Sequence, residues 1–207
     1  MIIKNKNDNF IFDFDGVIFD TNLIKKKAIY ESTKKYLNTD DLNKFVNFFL
    51  NNSGIPREKK ISKFFDITTS KKIQNKYSEI LYRNLLSANK IPGIINLLNK
   101  INKLNKKIHI LSGGNIDEIL MILKNNKMLK YFDKILAGPD DKQHNLNKLN
   151  LTNNTIFFGD SYHDYEIALQ NDLDFVFVYG FSIQEDWKES IDQNKCLSIV
   201  KNFYKLY

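Results

Sequence analysis

Two aspartates two positions apart, Asp13 and Asp15, close the apolar run NFIFDF and are followed at once by Gly16. In extended backbone, residues i and i+2 point to the same side, so both carboxylates can face one pocket. Neighbouring carboxylates resist joint ionisation unless a cation lies between them. Further along, FFGDSYHD supplies Asp160 and Asp164, LSGG supplies Ser112 and the amide of Gly113, and AGPDDK supplies Lys142. Carboxylates, one lysine and glycine-exposed amides suit metal-assisted phosphoryl transfer, in which a phosphate must be positioned and its charge neutralised. Mg²⁺ prefers oxygen ligands and retains waters, so Mg²⁺ held by Asp13 and Asp160 is the expected cofactor. Asp15, whose side chain stays off the metal, is left to act as general acid and then base.

Each of these residues has a duller reading. Ser112 taken alone can simply terminate a strand, and Asp164 can decorate the start of a helix. Lys134 and Lys148 compete with Lys142; Lys134 falls inside the run KILAG, and Lys148 sits close to the GD strand. Lys142 is preferred because a phosphate needs a cation at a strand end. Asp20 reads as a helix N-cap ahead of TNLIKKKA. The histidines, His109, His144 and His163, form no metal set by spacing.

The elements that must hold these residues follow from periodicity. NFIFDF, KIHILSGG, YFDKILAG, TIFFGD and DFVFVYG read as strands; IDEILMILKNN, HNLNKLNL and YEIALQN read as helices between them. Pro92 is placed to open a further helix with Ile94, Leu97, Leu98 and Ile101 facing inward. Such alternation predicts an α/β fold with a Rossmann-like parallel sheet and helices on both faces. From Thr21 to Asn89 the pattern is helical throughout. Leu42, Phe45, Val46, Phe49 and Leu50 form one apolar stripe, and Ile73, Tyr77, Ile80, Leu81 and Leu85 another, with SGIPREKK read as the turn carrying Gly54, Pro56 and Arg57. The expected division is therefore a core of residues 1–20 and 90–207 interrupted by an all-α insertion at 21–89.

Composition removes several function classes. The chain has 207 residues, of which 43% are hydrophobic and 13% aromatic, enough to bury a sizeable core. One cysteine, Cys196, provides neither a disulfide nor a cysteine zinc site, and is expected to be an inert thiol. The start MIIKNKNDNF lacks a long apolar segment, and the expected setting is the cytoplasm, away from membranes. The net charge of +7 comes from lysines scattered among asparagines, with no compact basic block, so no nucleic-acid partner is expected.

Together, DFDGV, LSGG, GPDDK and FFGDSYHD resemble, in order, the four motifs of the haloacid dehalogenase superfamily of phosphatases. The resemblance covers the core, and covers the helical insertion by position as a cap domain. It implies that Asp13 is a nucleophile forming an aspartyl-phosphate and also a metal ligand. It implies that Asp15 is the acid/base, with its backbone carbonyl on Mg²⁺, that Ser112, Gly113 and Lys142 hold the phosphoryl oxygens, that Asp160 binds the metal, and that Asp164 orients metal waters or Lys142. Dehalogenases of the superfamily lack an acid at the position of Asp15, whereas ester hydrolysis needs one because an alkoxide leaves poorly. The implied activity is a phosphomonoesterase acting on a small phosphorylated metabolite, with a sugar-phosphate mutase or a non-catalytic binding protein as alternatives. GIPR resembles the mutases' cap loop, so Arg57 is a candidate for substrate recognition, or for a surface ion pair.

Overall fold

The computed structural model describes residues 7–52, 55–152 and 154–206. Six parallel strands form one sheet in the order β3-β2-β1-β4-β5-β6. They are β1 (Asn9–Phe12), β2 (Lys107–Asn115), β3 (Lys134–Gly138), β4 (Thr155–Gly159), β5 (Asp174–Val178) and β6 (Ser198–Val200). β1 and β4 are buried along their whole length, which is why their sequences are apolar without alternation. The two faces still separate by the period of two. Phe10, Phe12, Ile110 and Phe158 enter one core, and Ile11, Leu111, Phe157 and Phe175 enter the other. On the first face Phe12 stacks on Phe158 with ring centroids 4.5 Å apart, and Phe203 meets both edge-on.

Four helices lie between β1 and the rest of the sheet in sequence: α1 (Asn22–Thr33), α2 (Thr39–Asn51), α3 (Arg57–Ser62) and α4 (Ile67–Leu85). Leu42, Phe45, Val46 and Phe49 of α2 and Ile73, Tyr77, Leu81 and Leu85 of α4 are buried, while Leu50 and Ile80 are half-buried. After them, α5 (Ile94–Lys103) and α6 (Ile116–Asn125) cover one sheet face, and α7 (Lys142–Leu146) and α8 (Tyr162–Gln170) the other. The chain enters and leaves the four-helix segment through one narrow neck. The Asp20 N–H donates to the Asn89 carbonyl at 2.9 Å, the Ile91 N–H donates to the Ile18 carbonyl at 2.9 Å, and Phe19 pairs antiparallel with Lys90.

Four local expectations are corrected. The REKK part of SGIPREKK is not turn but α3, begun by Pro56 at its N-cap; Gly54 lies outside the described residues. Asp20 is not a cap: Thr21 precedes α1 and makes no side-chain cap hydrogen bond, because its hydroxyl is committed to Asp15. Pro92 stands one residue before the cap rather than opening the helix. Gly93 takes the N-cap at φ +86°, where an added Cβ would lie 2.8 Å from the Phe203 backbone. YFDKILAG is strand only from Lys134. Among the described residues, no helix is long and apolar enough to cross a membrane.

Candidate active site

The strand order reverses around β1, so a crevice opens at the carboxyl ends of β1 and β4, the usual ligand position in such sheets. Asp13 follows β1 directly, and its N–H donates to the Phe158 carbonyl of β4 at 2.9 Å, fixing it to the neighbouring strand. Asp160 follows β4, and Asp164 lies in the first turn of α8. All three carboxylates are buried, with oxygens within 4.8 Å of one another.

Lys142 reaches this group from the start of α7. It is 1% exposed, and its Nζ donates to Asp13 Oδ1 at 2.7 Å and to Asp164 Oδ1. Asp164 Oδ2 accepts from the Ser161 hydroxyl at 2.6 Å, so both of its oxygens are used. Asp160 Oδ2 accepts from Asn22 Nδ2 at 2.8 Å. Asp15 accepts from the Thr21 hydroxyl at 2.5 Å and from the Lys25 ammonium. Ser112 is fully buried at the end of the apolar part of β2, with the Gly114 N–H donating to its Oγ at 3.0 Å.

Two glycines are required by close approach. Gly16 has φ +75°, and a Cβ there would fall 2.3 Å from Asp160 Oδ2. At Gly159 a Cβ would meet Asp164 Cβ at 2.4 Å. These contacts explain why the DFDG and GD pairs each place glycine beside aspartate.

The charges are unevenly balanced. Burial pushes the Asp13 carboxyl up to about 7 against the pull of Lys142, with Asp164 and Asp15 adding to the rise. Burial, then Asp13 and Asp164, raise Asp160 well above the usual carboxylate range. Asp15 is also desolvated, but the charge and hydrogen bonds of Lys25, with help from Thr21, bring it below its ordinary value. Lys142 is desolvated too, yet Asp13 and Asp164 hold it above the ordinary lysine value. Among the described residues, Asp13 Oδ2 and Asp160 Oδ1 accept no hydrogen bond. An all-oxygen pair with excess negative charge and spare lone pairs fits a hard divalent cation such as Mg²⁺.

Over this group lies a cavity of about 240 Å³. Asp13, Asp15, Ser112 and Gly113 line its floor, and Phe49, Arg57, Lys60 and Tyr77 reach it from the helical segment. Arg57 Nη2 donates to Glu118 Oε2 of α6 at 2.7 Å, and the guanidinium lies 5.0 Å over the Tyr77 ring. The ion pair thus joins α3 to α6 inside the crevice and not on the surface; both side chains are less than one-fifth exposed.

This geometry agrees with a match over residues 10–178 to the family described as haloacid dehalogenase-like hydrolases. The chain belongs to that family. No curated protein sequence matches it significantly. Among solved structures it is similar to a predicted phosphoglycolate phosphatase from Haemophilus somnus 129pt, with TM-score 0.77 and 15% identity over 99% of this chain and 97% of that one. It is similar to a predicted phosphatase from Clostridium acetobutylicum, with TM-score 0.73 and 22% identity over 94% and 93%. It is also similar to CbbY from Rhodobacter sphaeroides in complex with phosphate, with TM-score 0.75 and 14% identity over 97% and 96%. At these identities the likenesses show the fold.

Within this family site, the structure places Asp13, Asp15, Ser112, Gly113, Lys142 and Asp160 around one cavity, with Asp164 behind Lys142. Lys134 instead donates to the Lys148 carbonyl, and Lys148 pairs with Asp140 at 2.7 Å, both at the surface. His163 does not line the cavity. Sequence reading missed Thr21, Asn22, Lys25 and Lys60. Thr21 and Lys25 stand one helical turn apart, a spacing that could have flagged them, but the run KKK gave no means of choosing among three lysines. Arg57 and Lys60 share a helix face at i and i+3, a signal lost once REKK was read as a turn.

Proposed function

We propose that the protein is a metal-dependent phosphatase, built as a core of residues 1–20 and 90–207 and a helical cap of 21–89, that hydrolyses a small phosphate monoester through a phosphorylated Asp13. The observation that carries this reading is the pairing of Asp13 with Lys142 on one side and Asp160 on the other, at the crevice where the sheet order reverses. The neck at residues 18–20 and 89–91 supports the division. A resident Mg²⁺ held by Asp13 and Asp160, with the Asp15 carbonyl, would neutralise phosphate charge and keep Asp13 ionised.

The protein residues then have distinct tasks. Asp13 attacks phosphorus while Lys142, the Ser112 hydroxyl and the Gly113 amide hold the phosphoryl oxygens. A dianionic phosphate arriving beside Asp15 raises its proton affinity, so it can carry the proton that the leaving alkoxide needs. Once the alcohol has left, the ionised Asp15, oriented by Thr21 and Lys25, takes a proton from the water that attacks the phosphorylated Asp13. Asp164 positions Lys142. The cap roofs the cavity, which limits the substrate to a small metabolite and keeps bulk water out during transfer.

The test is phosphate release from a panel of small phosphate esters, with Mg²⁺ and with chelator, by the wild type and Asp13→Asn. Release that needs Mg²⁺ and disappears in Asp13→Asn is expected. An enzyme inert toward every ester, or an Asp13→Asn variant with undiminished release, would overturn the reading; in the first case transfer between sugar positions is the next assay.

A further inference from the structure

Four cationic side chains line the cavity: Lys25, Arg57, Lys60 and Lys142. Three have an acidic partner within ion-pair distance, namely Asp15 for Lys25, Glu118 for Arg57, and Asp13 with Asp164 for Lys142. Lys60 has none among the described residues. Its ammonium donates to the Phe49 carbonyl, in the last turn of α2, at 2.8 Å and lies 4.0 Å over the Phe49 ring. Yet the residue is only 6% exposed. An ammonium carries three donors, and a buried one with no carboxylate is costly to keep charged. Burial, then repulsion from Lys25 and Arg57, push Lys60 down to about 7, against weaker pulls from Asp15 and Glu58. No described residue supplies the anion that this position lacks.

We propose that Lys60 binds a second acidic group, a carboxylate or a phosphate, on the alcohol part of the substrate. This deepens the phosphatase reading and rests on it. Asp13 and Lys142 fix the transferred phosphoryl group on the floor of the cavity, and Lys60 comes from the cap above it. An ester bearing one acid at each end would therefore meet a cation at each end. Arg57 is a weaker candidate for the same task because Glu118 already neutralises it and the Tyr77 ring covers its face.

The experiment compares kcat/KM for 2-phosphoglycolate, ethylene glycol bisphosphate and the uncharged analogue 2-hydroxyethyl phosphate. The enzymes are the wild type, Lys60→Gln, which keeps a donor for the Phe49 carbonyl, and Lys60→Arg. The wild type is expected to prefer at least one doubly acidic ester tenfold or more, and which of the two it prefers distinguishes carboxylate from phosphate. Lys60→Gln should reduce that preference by at least tenfold, chiefly through KM, and Lys60→Arg should restore part of it. If Lys60 serves only to cap α2, Lys60→Gln lowers the melting temperature while the preference ratio stays put, and the proposal fails. A wild type that hydrolyses all three esters without preference also refutes the subsite but leaves the phosphatase reading intact. A wild type inert toward all three, and toward p-nitrophenyl phosphate, removes both.

Discussion

Replacing Asp13 by Asn should make the metal-free protein more stable, with an effect that depends on pH in a defined direction. Burial pushes the Asp13 carboxyl up to about 7, whereas the same group titrates at about 3.9 in an unfolded chain. Between those values the folded state holds a proton that the unfolded state has lost, so stability is greatest at the acid end and falls as pH rises through the window. A displacement of about three units corresponds to roughly 4 kcal/mol. In a chain of this size each kcal/mol moves the melting temperature by about 2–4 °C, so the total is on the order of 10 °C. Asn carries no charge at any pH and keeps an oxygen for the Lys142 donor. In chelator, Asp13→Asn is therefore expected to melt about 10 °C above the wild type near pH 8, and level with it near pH 4. Thermal unfolding followed by circular dichroism across this range is the assay. Equal melting near pH 8, or one constant offset at both ends, would refute the account of Asp13 as a strained anion. Mg²⁺ at about a hundred times its Kd should close more than half of the gap, since such a ligand contributes about 2.7 kcal/mol to a fold that binds it.

Other perturbations have equally specific outcomes. His109 is buried on β2, its Nδ1 has no hydrogen-bond partner among the described residues, and burial holds it below its ordinary value. The wild type should lose stability as pH falls below about 6.5, where the unfolded histidine protonates, and His109→Leu should flatten that loss in urea titrations. The Arg57–Glu118 contact joins α3 to α6, so a double-mutant cycle with Arg57→Met and Glu118→Gln should show coupling of about 1 kcal/mol or more; zero coupling would mean the pair carries no energy between the two helices. Gly16→Ala forces a Cβ against Asp160 at φ +75°, and should cost about 1–3 kcal/mol of stability together with a large loss of Mg²⁺ affinity by calorimetry.

The sheet was legible in the sequence because buried parallel strands are apolar without interruption, and NFIF, TIFF and FVFV can hardly be anything else. Asp13 and Asp160 were legible for the complementary reason, that carboxylates at the end of such runs need a purpose. The four-helix segment was less readable. REKK is polar, short and preceded by proline, so local chemistry could not tell a turn from a helix that buries only Lys60 and Ile61. Ser198–Val200 also escaped notice, since a three-residue edge strand has too little periodicity to register. The partner of Asp15 is a matter of tertiary geometry. Lys25, Lys26 and Lys27 are chemically identical in sequence, and only the orientation of α1 selects the first.

The neck at Asp20 and Asn89 has a consequence for how such a protein can change over generations. Its two chain segments sit a hydrogen bond apart, so the helices between them can be lengthened or exchanged beyond the first turn of α1 without moving either end. Asp13, Ser112, Lys142 and Asp160 all lie outside that segment, while Arg57 and Lys60 lie within it. Change toward a new leaving group can therefore be confined to α2, α3 and α4, so long as Thr21, Asn22 and Lys25 at the start of α1 keep their bonds to Asp15 and Asp160.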